Sequence, residues 1–522
     1  MKTLLVIPNN KKDFYNAEKF NDTYYISLKF KDNFEKELQK RIKELDKKEF
    51  DVIFIKESLG PTCLDFTGIK LAWYIRLLSN KHKFKPIIIL SNFDAVLIKK
   101  ITFLGDILFT QGVYLIDEFI EGRFTPLKDY KNFINLVKIP LPLEYNSNHD
   151  LSNDWALYVW AKNFDVKMDK LFIKFEEKFY FQYLKAKYEL EVKKQKVELK
   201  NQNLKILAID DKKEWGEIYK KVEIEFYNIQ DCKFNENIIE DYDMIILDLR
   251  LRKEDYKKEQ KIQNYYSYKL VERFLQTNPA VWIVIFSSSK NAEIIQEFKK
   301  FPNVIDYIKK NHPEDKENNI LDSINKFNKA FAWVKENKYL KEIWQIKREI
   351  EDILEQINFE KEIINELKIA NELVFYNLTC NENKKKFEYA MLAIYKILEI
   401  IKDYFIKQDY KNKKKLFIKK PFNKSIDFII NDNLEIENND DTKQFYFNST
   451  AHKLKLILYY IDDKKLYDNK FLYDFFKEIA FYRNGFVHPD KSKSNTFNTL
   501  NSSLIIRLYK NTYQFLLKIA SF

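Results

Sequence analysis

Three carboxylates stand at the ends of short apolar runs in the middle of the chain. Lys-Ile-Leu-Ala-Ile leads into Asp210-Asp211, and Asp-Met-Ile-Ile-Leu leads into Asp248. If both runs are parallel strands of one open α/β sheet, their C-terminal ends share the edge at which such sheets bind ligands. Anionic groups brought that close repel one another unless a cation lies between them, and their hard oxygens suit Mg2+.

The elements that must deliver these residues follow from the apolar pattern. Around 1–125, short runs (Leu4–Ile7, Val52–Ile55, Ile87–Leu90, Ile107–Phe109) alternate with helix-like stretches such as Gly68–Leu78, which predicts a parallel α/β sheet. A helical stretch of about 150–202 ends in the charged run Lys193–Lys200. The α/β pattern then returns, with runs at Ile206–Ile209, Val222–Phe226, Met244–Leu247, Val281–Phe286 and Val304–Ile308. From about 316 onward the pattern is helical. There Ile343, Ile346, Ile350, Ile353, Ile357, Ile364 and Leu367 keep heptad spacing, interrupted at Glu360. That seam suits either a two-stranded coiled coil or a helix packed on its own chain.

Composition narrows the function. With 522 residues, 45% hydrophobic and 32% charged, the chain can fold as several globular domains. No run approaches a membrane span and the first residues are unlike a signal peptide, so a soluble, cytoplasmic protein without a membrane partner is expected. Cys63, Cys232 and Cys380 lie far apart and form no zinc or disulfide pattern. The net charge of +12 is almost all lysine in an Asn- and Ile-rich chain, a pattern that coding bias alone produces, so it is weak grounds for a polyanionic partner. The seven glycines lie too far apart for a phosphate-cradling loop, which argues against a P-loop, kinase or dinucleotide site.

The segment of about 204–312, with Asp210-Asp211, Asp248, Ile-Val-Ile-Phe-Ser287 and Asp306-Tyr307-Ile308-Lys309-Lys310 in order, resembles the receiver domain of response regulators. The resemblance implies an acidic Mg2+-binding set of Asp210, Asp211 and Asp248, with Asp248 as phosphoacceptor. Ser287, Lys310 and Tyr307 then form the phosphate switch, and a histidine kinase or phosphotransfer protein is the partner. Two departures stand out: Asn311 replaces the family's proline, and a Lys-rich insertion fills 249–266. The first region resembles a degenerate copy, because Asp51-Val-Ile-Phe-Ile-Lys56 aligns with Asp243–Asp248 but carries lysine at the acceptor position. Docking or dimerisation, without Mg2+ or phosphate, is the role expected of it.

Two further motifs draw the eye. His149-Asp150-Leu-Ser152-Asn resembles the phosphoacceptor box of histidine kinases, yet no ATP-binding module accompanies it, and Asp150 or Ser152 could equally cap a helix. Near the end, Arg483-Asn484-Gly-Phe-Val-His488-Pro follows a helical run and resembles the motif of the HEPN family of small helical ribonucleases and nucleotide-binding domains. That resemblance covers about 380–522 and implies Arg483, Asn484 and His488 as catalytic residues of a metal-independent endoribonuclease, paired in a homodimer. A guanidinium binds phosphate bidentately, and an imidazole exchanges protons near neutral pH. Upstream, Lys413, Lys414, Lys415, Phe417, Lys419 and Lys420 interleave charge and aromatic rings, as either a single-stranded RNA surface or a solvated loop does.

The expected architecture is α/β plus all-α: two doubly wound, flavodoxin-like receiver units followed by a helical HEPN-like bundle. Its divisions are a pseudo-receiver at 1–125, a helical connector at 126–202, a receiver at 203–315, a long helix or coiled-coil relay at 316–375 and an effector at 376–522. The expected function is a two-component signalling protein whose phosphorylation controls RNA cleavage, in stress or phage defence. The alternative is a non-enzymatic phosphorelay adaptor whose helical end dimerises or binds a partner.

Overall fold

Strands buried on both faces need apolar side chains throughout, which is why the runs above read as continuous and not alternating. In the computed structural model they build two parallel sheets of the same design. The first unit comprises β1 (Thr3–Pro8), β2 (Asp22–Ile26), α1 (Phe34–Leu45), β3 (Val52–Lys56), α2 (Thr67–Leu78), β4 (Ile87–Leu90), α3 (Ala95–Ile101) and β5 (Val113–Ile116). Its strand order is β2-β1-β3-β4-β5. A connector follows, with α4 (Tyr130–Leu136), α5 (Asn148–Asn163), α6 (Asp169–Glu177) and α7 (Phe179–Tyr188). The second unit comprises β6 (Ile206–Asp210), α8 (Trp215–Lys221), β7 (Glu225–Asn228), β8 (Met244–Leu247), α9 (Tyr266–Thr277), β9 (Trp282–Ser287), α10 (Ala292–Lys299) and β10 (Val304–Lys309). Its order, β7-β6-β8-β9-β10, repeats the first, and both are the flavodoxin-like arrangement.

The structure describes all residues except 1, 10–16, 27–33, 61, 63, 146, 231–235, 257–259, 290, 315–318, 380–384, 409–414, 419–425, 431–434, 438–444, 447–449, 462–469, 488–499 and 522. Among the described residues no helix is long and apolar enough to cross a membrane.

In the first unit Ile107–Phe109, expected as a strand, lies in a 3-10 helix at Phe103–Phe109, and Val113–Ile116 is the fifth strand. Two close approaches fix this unit. A Cβ on Gly68 would stand 1.7 Å from the Lys56 carbonyl oxygen, so the start of α2 reaches the end of β3 only because residue 68 has no side chain. Arg76, fully buried, donates to the carbonyls of Lys83, Lys85 and Gly112 at 2.7, 2.7 and 2.9 Å.

The C-terminal region is helical, with α11 (Ile320–Asn337), α12 (Tyr339–Gln356), α13 (Lys361–Thr379) and α14 (Lys386–Phe405). It then departs from the all-helical expectation. An antiparallel meander of β11 (Ile406–Gln408), β12 (Lys415–Ile418), β13 (Ile426–Ile430), β14 (Glu435–Glu437) and β15 (Phe445–Tyr446) precedes α15 (Thr450–Ile461), α16 (Lys470–Val487) and α17 (Ser502–Ala520). The apolar stretch Leu416-Phe417-Ile418 of β12 is only three residues long and stands inside a lysine-rich run, too short a signal to read as a strand.

The heptad seam serves its own chain. Ile343, Ile346, Ile350 and Ile353 are buried on α12, which packs against α13 and α17. The break in the pattern is a break in the helix: α12 ends at Gln356 and α13 begins at Lys361, and between them Phe359 packs on Tyr404 with tilted rings, centroids 4.2 Å apart. Truncating the seam leaves a cavity, so Ile350→Ala is expected to cost about 2–5 kcal/mol in urea unfolding followed by circular dichroism.

Candidate functional site

Adjacent parallel strands put their C-terminal residues side by side, and the second sheet does this with every chemically active residue of its motif. Asp210 closes β6, Asp248 follows β8, Ser287 closes β9, and Lys310 follows β10. Backbone bonds hold the register: Asp248 N–H donates to the Ile209 carbonyl at 2.9 Å and Lys310 N–H to the Ser287 carbonyl at 2.8 Å.

The Lys310 ammonium is the centre of the edge. It donates to Asp210 Oδ2 at 2.9 Å and to Asp248 Oδ1 at 2.8 Å. Lys310 is 0% exposed, Asp248 1% and Asp210 2%. The ammonium also lies 5.0 Å from the Trp215 ring centroid and 5.3 Å from that of Phe286, within cation–π range. Burial pushes this ammonium toward its neutral form, but the two carboxylates outweigh it and hold Lys310 above its ordinary range.

Asp211 completes the set, and its environment differs. The Tyr256 hydroxyl donates to Asp211 Oδ2 at 3.1 Å, while Oδ1 is buried without a hydrogen-bond partner. Burial first, and the charges of Asp210 and Asp248 second, push Asp211 up to about 7. Asp210 is raised too, by burial against the pull of Lys310.

Carboxylate oxygens of Asp210, Asp211 and Asp248 lie within 4.8 Å of one another, and the orphaned Asp211 Oδ1 has nothing in the protein to bind. Oxygen-only donors at this spacing fit a hard divalent cation such as Mg2+.

Ser287 and Tyr307, expected as parts of a phosphate switch, lie at or near the ends of neighbouring strands. Ser287 Oγ accepts from the Ser289 N–H at 3.4 Å, and the Tyr307 hydroxyl donates to the Ser289 carbonyl at 3.2 Å. Tyr307 is buried against the domain, and that burial raises its pKa.

Sequence reasoning missed the cover of this edge. The insertion after Asp248 folds back over it: buried Asp255 accepts from the N–H groups of Leu251 and Arg252, each at 3.0 Å, and so brings Tyr256 to Asp211. His149, from the connector, shares a 2.8 Å hydrogen bond with Ser288 Oγ and lies edge-on to Tyr256, 5.6 Å between centroids. Burial, then the positive charge of Arg250, push its imidazole down to about 3, so the ring is neutral. Neither Asp150 nor Ser152 caps α5; Ser147 Oγ does, accepting from the Asp150 N–H at 3.3 Å. The contact of His149 with Ser288 spans 139 residues, and no local pattern announces it.

The equivalent edge of the first sheet is built otherwise. Lys56 ends β3 at the acceptor position, buried and paired with Glu57 at 2.5 Å. That pair neutralises itself.

At the C-terminal motif, Arg483 and Asn484 lie in the last turn and a half of α16. The Arg483 guanidinium is 5.4 Å from the Tyr395 ring centroid and donates to Asn484 Oδ1 at 3.2 Å. His488, Lys413, Lys414, Lys419 and Lys420 lie outside the described residues, while Lys415 and Phe417 lie on β12.

Comparison with known proteins adds one match. A family model described as an inactive receiver domain covers residues 7–116, most of the first parallel-sheet unit. No curated protein matches the chain.

Two stability measurements check the electrostatics. Lys310→Met leaves two buried carboxylates uncompensated and is expected to cost about 3–5 kcal/mol near neutral pH, with part of the loss recovered by adding Asp248→Asn. Asp211, raised from 3.8 to about 7, keeps a proton when folded that it releases when unfolded. Its contribution therefore falls as pH rises through that interval. The stability of wild type minus that of Asp211→Asn should fall from pH 4 to 7 in urea melts; a flat difference would contradict the assigned burial.

Proposed function

We propose that the chain is a signalling protein of response-regulator type in which Asp248 accepts a phosphoryl group and the first unit, of the inactive-receiver kind, docks without chemistry. The observation that carries this reading is the buried Lys310 ammonium bridging Asp210 and Asp248, with a third carboxylate oxygen unsatisfied beside it. In the transfer, a carboxylate oxygen of Asp248 attacks the donor phosphorus, and the leaving group departs with the bonding electron pair. Lys310 exchanges its Asp248 contact for a phosphoryl oxygen, and the Ser287 hydroxyl turns toward the same group. A cation held by Asp210, Asp211 and Asp248 would supply charge neutralisation for the incoming oxygens. A histidine kinase or phosphotransfer protein is the donor this chemistry calls for.

The C-terminal unit is the output in this reading, as a HEPN-like ribonuclease acting as a homodimer. Support comes from Arg483 and Asn484 sharing the end of α16, with the guanidinium against Tyr395. The same stacking favours the second reading, a non-enzymatic adaptor, because a guanidinium braced on a ring and an amide also serves as a structural prop.

Two experiments separate these readings. Acetyl phosphate with Mg2+ should place one acid-labile phosphate on the full chain, absent in Asp248→Asn and in EDTA; label retained by that variant, or found near Lys56, overturns the acceptor assignment. Purified protein should cut single-stranded RNA in EDTA, leaving 2′,3′-cyclic phosphate ends, and Arg483→Ala or His488→Ala should lower the rate by about 100-fold or more. Intact RNA in every phosphorylation state selects the adaptor.

A further inference from the structure

The C-terminal edge of an open parallel sheet is ordinarily a crevice that admits ligands, yet here Asp248 and Lys310 are sealed from solvent. A helix outside the second unit, α5, lies against this edge. Its residues His149, Asn153, Ala156 and Trp160 recur at helical spacing and share one face.

Three side chains of α5 grip the edge, each at the residue immediately following a motif residue. His149 Nδ1 bonds Ser288, next to Ser287, at 2.8 Å. Asp154 accepts from the ammonium of Lys212, next to Asp211, at 2.6 Å. The Trp160 indole N–H donates to Oδ1 of Asn311, next to Lys310, at 3.0 Å. The last contact gives Asn311 a use: a proline there has no amide side chain to receive the indole. Trp160 also packs at 5.2 Å from Phe286 and 5.8 Å from Trp215, the two rings that flank the Lys310 ammonium. A displacement of Lys310 therefore presses on the same aromatic wall that seats α5.

The seal is one-sided. A cavity of about 860 Å³, lined by Asp154, Lys174, Asp211, Lys212 and Asn228 among others, opens onto Asp211 from the α6 side.

We propose that α5 is a built-in strap over the acceptor edge and that His149 is the positioning residue that closes the approach to Asp248. With the strap seated, a small cation reaches the carboxylates through the Asp211 cavity, while a phosphodonor reaches Asp248 only during transient release of α5. Modification of Asp248 and seating of α5 are then mutually exclusive, so each state of the acceptor corresponds to a different attachment of the connector. The consequence for phosphorylation rests on Asp248 being the acceptor; the strap itself does not.

The test uses the full chain as wild type, His149→Ala and Trp160→Phe, the last keeping the ring but losing the bond to Asn311. Carboxylates are modified with a water-soluble carbodiimide and glycinamide, and the rate at Asp248 is read by peptide mass spectrometry. Asp243, buried at the opposite end of β8, serves as the control for general loosening. Release of a local closure should raise the Asp248 rate by about tenfold in His149→Ala and by less in Trp160→Phe, with Asp243 unchanged. Acetyl phosphate labelling should rise in the same order. An unchanged Asp248 rate in both variants, or a rise shared equally by Asp243, overturns the strap whatever the labelling does. If Asp248 becomes accessible but no variant is ever phosphorylated, the strap stands and the acceptor reading falls. Should His149→Ala not fold, Trp160→Phe decides alone.

Discussion

An ammonium without access to water must be paired, and Lys310 is paired twice. Removing one charge from water costs several kcal/mol, and the return comes only from close, well-directed partners. Asp210 and Asp248 meet that demand at 2.9 and 2.8 Å. The neighbouring structure follows from it. Lys310 must emerge one residue after β10, which needs the bond from its own N–H to Ser287. Trp215 and Phe286 must wall the ammonium, and Asp211, buried beside Asp210 and Asp248, is pushed up to about 7 despite the pull of Lys310.

The two sheets of this chain solve the same electrostatic problem in opposite ways. They share strand order, yet at the end of the third strand in chain order one carries Lys56 and the other Asp248. In the first unit cation and anion are sequence neighbours, Lys56 and Glu57, so the edge is balanced by its own backbone segment. In the second the cation arrives from a different strand and is shared between two anions, with a third beside them. An edge balanced locally has no call for outside charge. One balanced at long range, with carboxylates in excess, leaves a carboxylate oxygen of Asp211 without a hydrogen-bond partner.

The central strands were legible because burial on both faces forces uninterrupted apolar runs, and the acids at their ends followed from strand register; the edge strands were not, since β2 (Asp22–Ile26) matched no run and β7 lies at Glu225–Asn228, not at Val222–Phe226. Ile107–Phe109 was misleading for the same reason: three apolar residues satisfy a strand and a helical turn alike. The strands between 406 and 446 were not legible because each is only two to five residues long and the stretch around them is rich in lysine and asparagine, which also describes a solvated loop. The isoleucine seam at 343–357 specified a buried helix face but not what would bury it. His149 was noticeable as a residue but not as a contact, since its meeting with Ser288 depends on how a connector helix lies on a domain that follows it. Tyr256 carried no signal at all, being one tyrosine among 33 in the chain.

The aromatic wall around the ammonium has an optical meaning. Trp215 and Trp160 are in ring contact, centroids 5.8 Å apart, and a full positive charge lies 5.0 Å from the first of them. Indole emission responds to local electric fields, so two of the seven tryptophans form a native fluorophore pair tuned by the charge at this edge. Displacing that charge changes the field at Trp215, so the emission of this pair is expected to report on the state of Lys310.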